Sequence, residues 1–244
     1  MNPWKSLCLA LLLAPLTLQA APELNVGALY DYLGEDKSTV LKRVRNGGDT
    51  TAFVKISLVE LVYDENGVAR EVDLEGLPLE QRGLVASPAR LIVPARGMQA
   101  VRLLYRGKRD RERYFRLRFI PVLPEQGDGF AVSEKEAKDY RESLTAGVNL
   151  LAGYGTLLFV RPTGTQFKTP VREEGGRVVV TNQGNATVVL DQLRLCAADG
   201  QDCSNATKQH LLPGRTQALD GQPGRHYRFE LQEGDQRQEM AFNG

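Results

Sequence analysis

The sequence predicts an all-β protein of two β-sandwich domains. Three observations carry this. Short apolar or alternating runs of strand length recur along the chain, clusters of Gly, Asn, Asp and Pro separate them, and no long amphipathic helical stripe interrupts them. Thr39–Arg45 runs into Asn46-Gly47-Gly48-Asp49, and Thr51–Val62 follows, ending at Asp64-Glu65-Asn66-Gly67. Ala89–Val93 leads through Pro94-Ala95-Arg96-Gly97 to Met98–Tyr105. Tyr114–Val122 alternates aromatic or aliphatic side chains with arginine. Strands of this size between such turns indicate a sandwich.

Residues Leu123–Thr145 break the pattern. They are polar and charged, which predicts a long exposed loop with one helical turn over Glu134–Arg141. Ala146–Pro162 is then a long apolar run, and Val148, Leu150, Ala152 and Tyr154 fall on alternate positions, one face of a strand. Such a strand is costly to leave at a sheet edge, because it invites pairing. Either its own chain covers it or pairing with another polypeptide is its function. Leu158 and Val160 are expected to fill the chain's own core.

Pro162 ends this run, and Thr163–Pro170 is rich in turn residues. The boundary is placed here, giving domains 21–161 and 162–244. In the second, Arg177–Thr181 meets Asn182-Gln183-Gly184-Asn185 and Thr187–Cys196 follows; His226–Leu231 and Gln238–Phe242 close the chain. Both halves open with a strand, an Asn/Gly turn and a second strand.

Residues 1–20 carry Lys5, the apolar run Leu7–Leu18 and small residues at Ala20-Ala21, the pattern of a cleaved secretory signal peptide. No later run is long enough to span a membrane as a helix. Export lets the remaining cysteines, Cys196 and Cys203, pair as a staple around the Asp199-Gly200 turn. His210 and His226 are the only histidines and neither lies in a ligand-like cluster, so no metal and no cofactor is expected.

The chain has 31 basic and 30 acidic residues, and loss of Lys5 with the leader brings them into balance, which argues against nucleic acid as a partner. Arg102–Arg118 is nevertheless densely basic and reads as a solvated strand face or an anion-binding surface. Enzyme chemistry finds little support. Gly153-Tyr154-Gly155 is a fragment of a phosphate loop that continues into a strand, no serine sits in a nucleophile elbow, and two isolated histidines make no triad.

Four segments carry a family resemblance. SPARLIVPARGMQAVRLLY (87–105), RDRERYFRLRFIPV (109–122), TLLFVRP (156–162) and VVVTNQGNATVVLDQLRL (178–195) resemble, in matching order, the periplasmic pilus-assembly chaperones of the chaperone–usher pathway. The resemblance implies two immunoglobulin-like sandwiches in an L or boomerang arrangement, located in the periplasm. It implies a mechanism in which the last strand of the first domain completes an unfinished pilus subunit, a pilin or an adhesin, before delivery to an outer-membrane usher. Matching that strand backward from Arg161 puts Val148, Leu150 and Ala152 at the donor positions, with Tyr154 next in the row. Self-association through this strand in the free protein follows from the same exposure. An alternative is a structural or adhesive sandwich component of a pilus or cell surface.

Two departures place the chain nearer the alternate branch of the family. The loop before the donor strand is long, and the two basic residues expected to hold a subunit's terminal carboxylate are Leu29 and Leu157 at the matching places. Lys42, Arg43 and Arg45 lie together in one early strand. An anchor would fall, in order of preference, to Arg161, Arg43 or Arg116; Arg161 could equally form an interdomain ion pair with Glu112.

Overall fold

The computed structural model describes residues 21–125, 127–145 and 151–243. The leader, Val148 and Leu150 lie outside them. The first half contains β1 (Leu24–Asn25), β2 (Tyr30–Leu33), β3 (Thr39–Asn46), β4 (Ala52–Tyr63), β5 (Ala69–Asp73), β6 (Leu84–Ser87), β7 (Arg90–Val93), β8 (Met98–Tyr105), β9 (Arg113–Pro121), helix α1 (Glu134–Thr145) and β10 (Tyr154–Val160). The second half contains β11 (Val171–Glu174), β12 (Arg177–Thr181), β13 (Val188–Ala197), β14 (Thr207–Leu211), β15 (Thr216–Asp220), β16 (Arg225–Glu233) and β17 (Gln236–Asn243).

The first sandwich packs a sheet ordered β1-β3-β8-β6 on one ordered β2-β10-β9-β4-β5, with β7 also paired to β4. Strand alternation decides what lies between them. Val54, Ile56 and Leu58 of β4, Phe115, Leu117 and Phe119 of β9, and Val44, Val101 and Leu103 of the facing sheet form one core. Burying each such side chain is worth roughly 1.5–3 kcal/mol. The second sandwich packs β11-β12-β15 on β14-β13-β16-β17 around a separate core that includes Val178, Val180, Leu190, Phe229 and Leu231. Cys196 and Cys203 form a disulfide at the end of β13.

The shared opening of the two halves has a physical cause. Asn46 ends β3 and Asn182 follows β12, both with side chains almost wholly buried. Each Oδ1 accepts from the glycine N–H two residues on, Gly48 or Gly184, at 3.0 Å. Each Nδ2 donates to the carbonyl four residues on, Thr50 at 2.7 Å or Ala186 at 2.9 Å. The asparagine thus replaces the ladder partners that a turning backbone loses.

The segment expected to be an exposed loop is anchored instead, and its helix runs twelve residues rather than one turn. Ser133 and Glu136 form a reciprocal capping box: Glu136 N–H donates to Ser133 Oγ at 3.2 Å, and Ser133 N–H to Glu136 Oε2 at 2.8 Å. Ala137, Tyr140 and Leu144 share one helical face, and Ala137, Leu144 and the preceding Phe130 are buried. The rings of Phe130 and Tyr140 meet Phe53 of β4 edge-on, at 5.3 and 4.8 Å between centroids, and Tyr140 Oη donates to the Thr51 carbonyl.

Candidate functional site

Strand β10 is paired unequally on its two edges. Along one, β9 pairs with it from Tyr154, opposite Phe119, to Val160, opposite Arg113. Along the other, parallel β2 begins only where Tyr30 meets Leu157. Leu157 N–H donates to Leu29 O at 2.8 Å and Arg161 N–H to Leu33 O at 3.0 Å, so odd-numbered amides of the strand face β2. By the same alternation the Gly155 N–H faces an edge that no described strand occupies, over Tyr154–Thr156.

The predicted long strand is therefore shorter than expected. Leu151–Gly153 are outside any strand, and Ala152 and Tyr154 are exposed. Gly153 lies tight on β9: a Cβ there would sit 3.1 Å from the Phe119 carbonyl oxygen. Leu158 and Val160 are fully buried in the first core.

Beside this edge lie Leu29, 48% exposed, whose carbonyl accepts from the Leu157 N–H, and half-buried Leu157 on the outward face of the sheet. The aligned anchor positions thus adjoin in space, and both are aliphatic. Arg116 sits directly opposite Leu157 and Arg118 opposite Gly155 on the same face. Glu71 of β5 holds both: its two oxygens lie 2.7 Å from Arg118 Nη2, and Oε1 also accepts from Arg116 Nη1. These bonds, Arg118's first, hold the Glu71 carboxyl below its usual range. Arg43 lies apart from Leu157. It is exposed on β3, in the opposite sheet, and alternation points it away from the core and hence from Leu157.

The two sandwiches meet at the covered end of β10. Phe159 is buried under Tyr32, Tyr114 and His210, the last from β14. The Tyr32 hydroxyl lies 2.6 Å from His210 Nε2. Burial raises the Tyr32 pKa, so its hydroxyl stays protonated beside the ring. Burial also pushes His210 down to about 4, aided by Lys208 and opposed by Asp191. Glu112 is buried beside this cluster. Its Oε2 accepts from Thr187 N at 2.8 Å, Thr187 Oγ1 at 2.6 Å and the Tyr114 hydroxyl at 2.9 Å. Burial raises the Glu112 pKa against those bonds. Arg161 contributes only a minor electrostatic influence there; its guanidinium lies over the Phe167 ring, 5.5 Å from the centroid. Arg215 donates to the carbonyls of Glu65 and Asp64 and lines an open cavity of about 400 Å³ between the sandwiches. His210, Thr187 and Arg215 carried no local signal, since each meets its partner only after folding. Among the described residues no helix is long and apolar enough to cross a membrane.

No family model matches the chain. It is 28% identical over 214 residues to a protein of Escherichia coli O157:H7 named "Probable fimbrial chaperone EcpB", covering 86% of each chain, and to a same-named Klebsiella pneumoniae protein at 28%. Among solved structures it resembles the class 5 fimbriae chaperone CfaA (TM-score 0.56, 18% identity, 91% of this chain and all of that one). It also resembles the Pseudomonas aeruginosa CupB2 chaperone (TM-score 0.52, 17% identity, 90% of this chain and all of that one). A similar fold occurs in the SafB chaperone, solved in complex with the Salmonella enterica SafA pilin (TM-score 0.50, 15% identity, 90% of this chain and 94% of that one). In sequence the chain is similar to proteins named as fimbrial chaperones, and its two β-sandwiches share the fold of solved fimbrial chaperones.

Proposed function

We propose that the chain is a periplasmic chaperone that lends the open edge of β10 to an incomplete pilus subunit and passes that subunit to an outer-membrane usher. The observation that carries this is the stretch Tyr154–Thr156, held by β9 on one edge and paired with no described strand on the other. A partner strand laid there would extend the six-stranded sheet through backbone hydrogen bonds, while alternate side chains enter the partner's groove. The donor row is Val148, Leu150, Ala152 and Tyr154, and the leader at residues 1–20 takes the chain out of the cytoplasm. The donor domain spans 21–161 and the second domain 162–244. The role needs no catalytic group.

In this reading the basic anchor is Arg116 with Arg118. They supply from the neighbouring strand, on the face that carries Leu157, the positive charge missing at Leu29 and Leu157. Arg161 and Glu112 serve the junction between the sandwiches. The test is co-purification from periplasm, with the bound proteins identified by mass spectrometry. Leu150→Arg should abolish capture while leaving the chaperone folded. A folded Leu150→Arg chaperone that still captures its subunit refutes the donor row.

A further inference from the structure

Lys42 is the one lysine of its strand that points inward, and its side chain is 4% exposed. It projects from β3, in one sheet, across the interior to the other. Its Nζ lies 2.7 Å from Asp31 Oδ2 on β2 and donates to the Ala28 carbonyl. Between these two acceptors the chain completes its passage from one sheet to the other. β1 pairs with β3, β2 pairs with β10, and Val26–Leu29 cross between them. The crossing turns at Gly27, whose φ is +71° and whose N–H donates to Asn25 Oδ1 at 2.8 Å.

We propose that Lys42 and Asp31 are a positioning pair: they set where β2 begins on β10, and so how much of that edge stays open. The inference rests on the open edge having the function given above. A slide of β2 by one residue would turn Asp31 to the outer face. A slide by two would carry it roughly 6.6 Å along the strand. Either leaves the Lys42 ammonium buried without its carboxylate, which is strongly unfavourable. A two-residue slide toward Tyr154 is the register that would cover Gly155 and close the edge. The buried pair therefore acts against self-closure, a threat that a strand meant to stay uncovered faces constantly.

The test is amide hydrogen exchange on the free chain. Lys42→Met with Asp31→Leu replaces the pair by apolar groups of similar size and leaves no lone buried charge. Exchange at Leu157 and Arg161, whose amides bond Leu29 and Leu33, should accelerate at least about tenfold. Amides between β3 and β8 should keep their protection. Asp31→Asn, which keeps an acceptor without the charge, should give a smaller acceleration at the same two amides and serves if the double variant does not fold. Unchanged protection at Leu157 and Arg161 in either folded variant overturns the proposal. That failure would leave strand lending untouched, because exchange is read without a partner; loss of strand lending would show only in subunit capture.

Discussion

Phe159 and His210 stack across the junction of the two sandwiches, ring centroids 4.9 Å apart and planes 10° from parallel. Phe159 belongs to β10, so the strand with the open edge is also the strand that seats the second sandwich. A neutral imidazole suits this contact. Below its ordinary pKa of about 6.5 the unfolded chain binds a proton at His210 that the folded chain resists until about 4. Stability should therefore fall as the pH drops between those values, by about 1–2 kcal/mol after discounting for solvent at the exposed side of the ring. Urea unfolding at pH 7.5 and 4.5 measures it. His210→Gln should flatten that part of the profile; an unchanged profile would remove His210 as its source.

Glu112 accepts three hydrogen bonds, two of them from Thr187 in the other sandwich. Glu112→Ala would orphan buried donors and should cost about 2–3 kcal/mol. It should also speed proteolysis of the connecting residues 161–170. Glu112→Gln keeps an acceptor and removes a charge whose burial is unfavourable, so its melting temperature should stay near the parent's. Calorimetry of both variants, with a proteolysis time course, separates the hydrogen-bonding role from the charge.

Asn182 is fully buried, and its side chain makes three bonds in place of the backbone ladder at its turn: it accepts from the Gly184 N–H and donates to the carbonyls of Ala186 and Leu211. Asn182→Ala should destabilise the second sandwich by about 2–4 kcal/mol, with Asn46→Ala doing the same to the first. Asn182→Asp is also expected to destabilise, since it loses the two donors to Ala186 and Leu211. Denaturant unfolding followed separately in each sandwich would show it.

Arg116 and Arg118 are paired with Glu71 at partly exposed positions, and exposed ion pairs add little to stability. Replacing both arginines by glutamine should leave the melting temperature unchanged and weaken subunit capture by about tenfold, roughly one charge-assisted pair. Arg43→Gln, on the far sheet, should leave capture intact. Binding titrations with a purified subunit test both.

The sequence made some of this legible. Strands β3, β4, β8, β9, β12, β13, β16 and β17 announce themselves through alternation and their flanking turns, because each has one face on a core. Short or edge strands such as β1, β2, β5 and β11 do not: YDYL carries little alternation, and AREVD and VREE are mostly polar. Helix α1 was readable in principle from Ser133 and Glu136 at capping-box spacing and from Ala137, Tyr140 and Leu144 on one face. Its low apolar content hid it, since much of its docking surface is supplied by Phe53, far away in sequence. The site divided similarly. Leu29 and Leu157 were matched to each other across 128 positions only through the family resemblance, and the fold makes them neighbours. Which of Arg161, Arg43 and Arg116 lies near Leu157 depends on the fold, since Arg43 is on the opposite sheet and Arg116 on the strand beside Leu157.

The most direct measurement uses Gly155, whose N–H faces the open edge and whose missing side chain would meet nothing within 4 Å. Gly155→Pro deletes that one donor while leaving pairing with β9 in place, and proline is tolerated on an unpaired strand edge. Gly155→Ala serves as the control. The account predicts that the proline variant folds with near-parental stability and no longer captures its subunit, while the alanine variant captures normally. A stable Gly155→Pro protein that binds the subunit as tightly as the parent would contradict it.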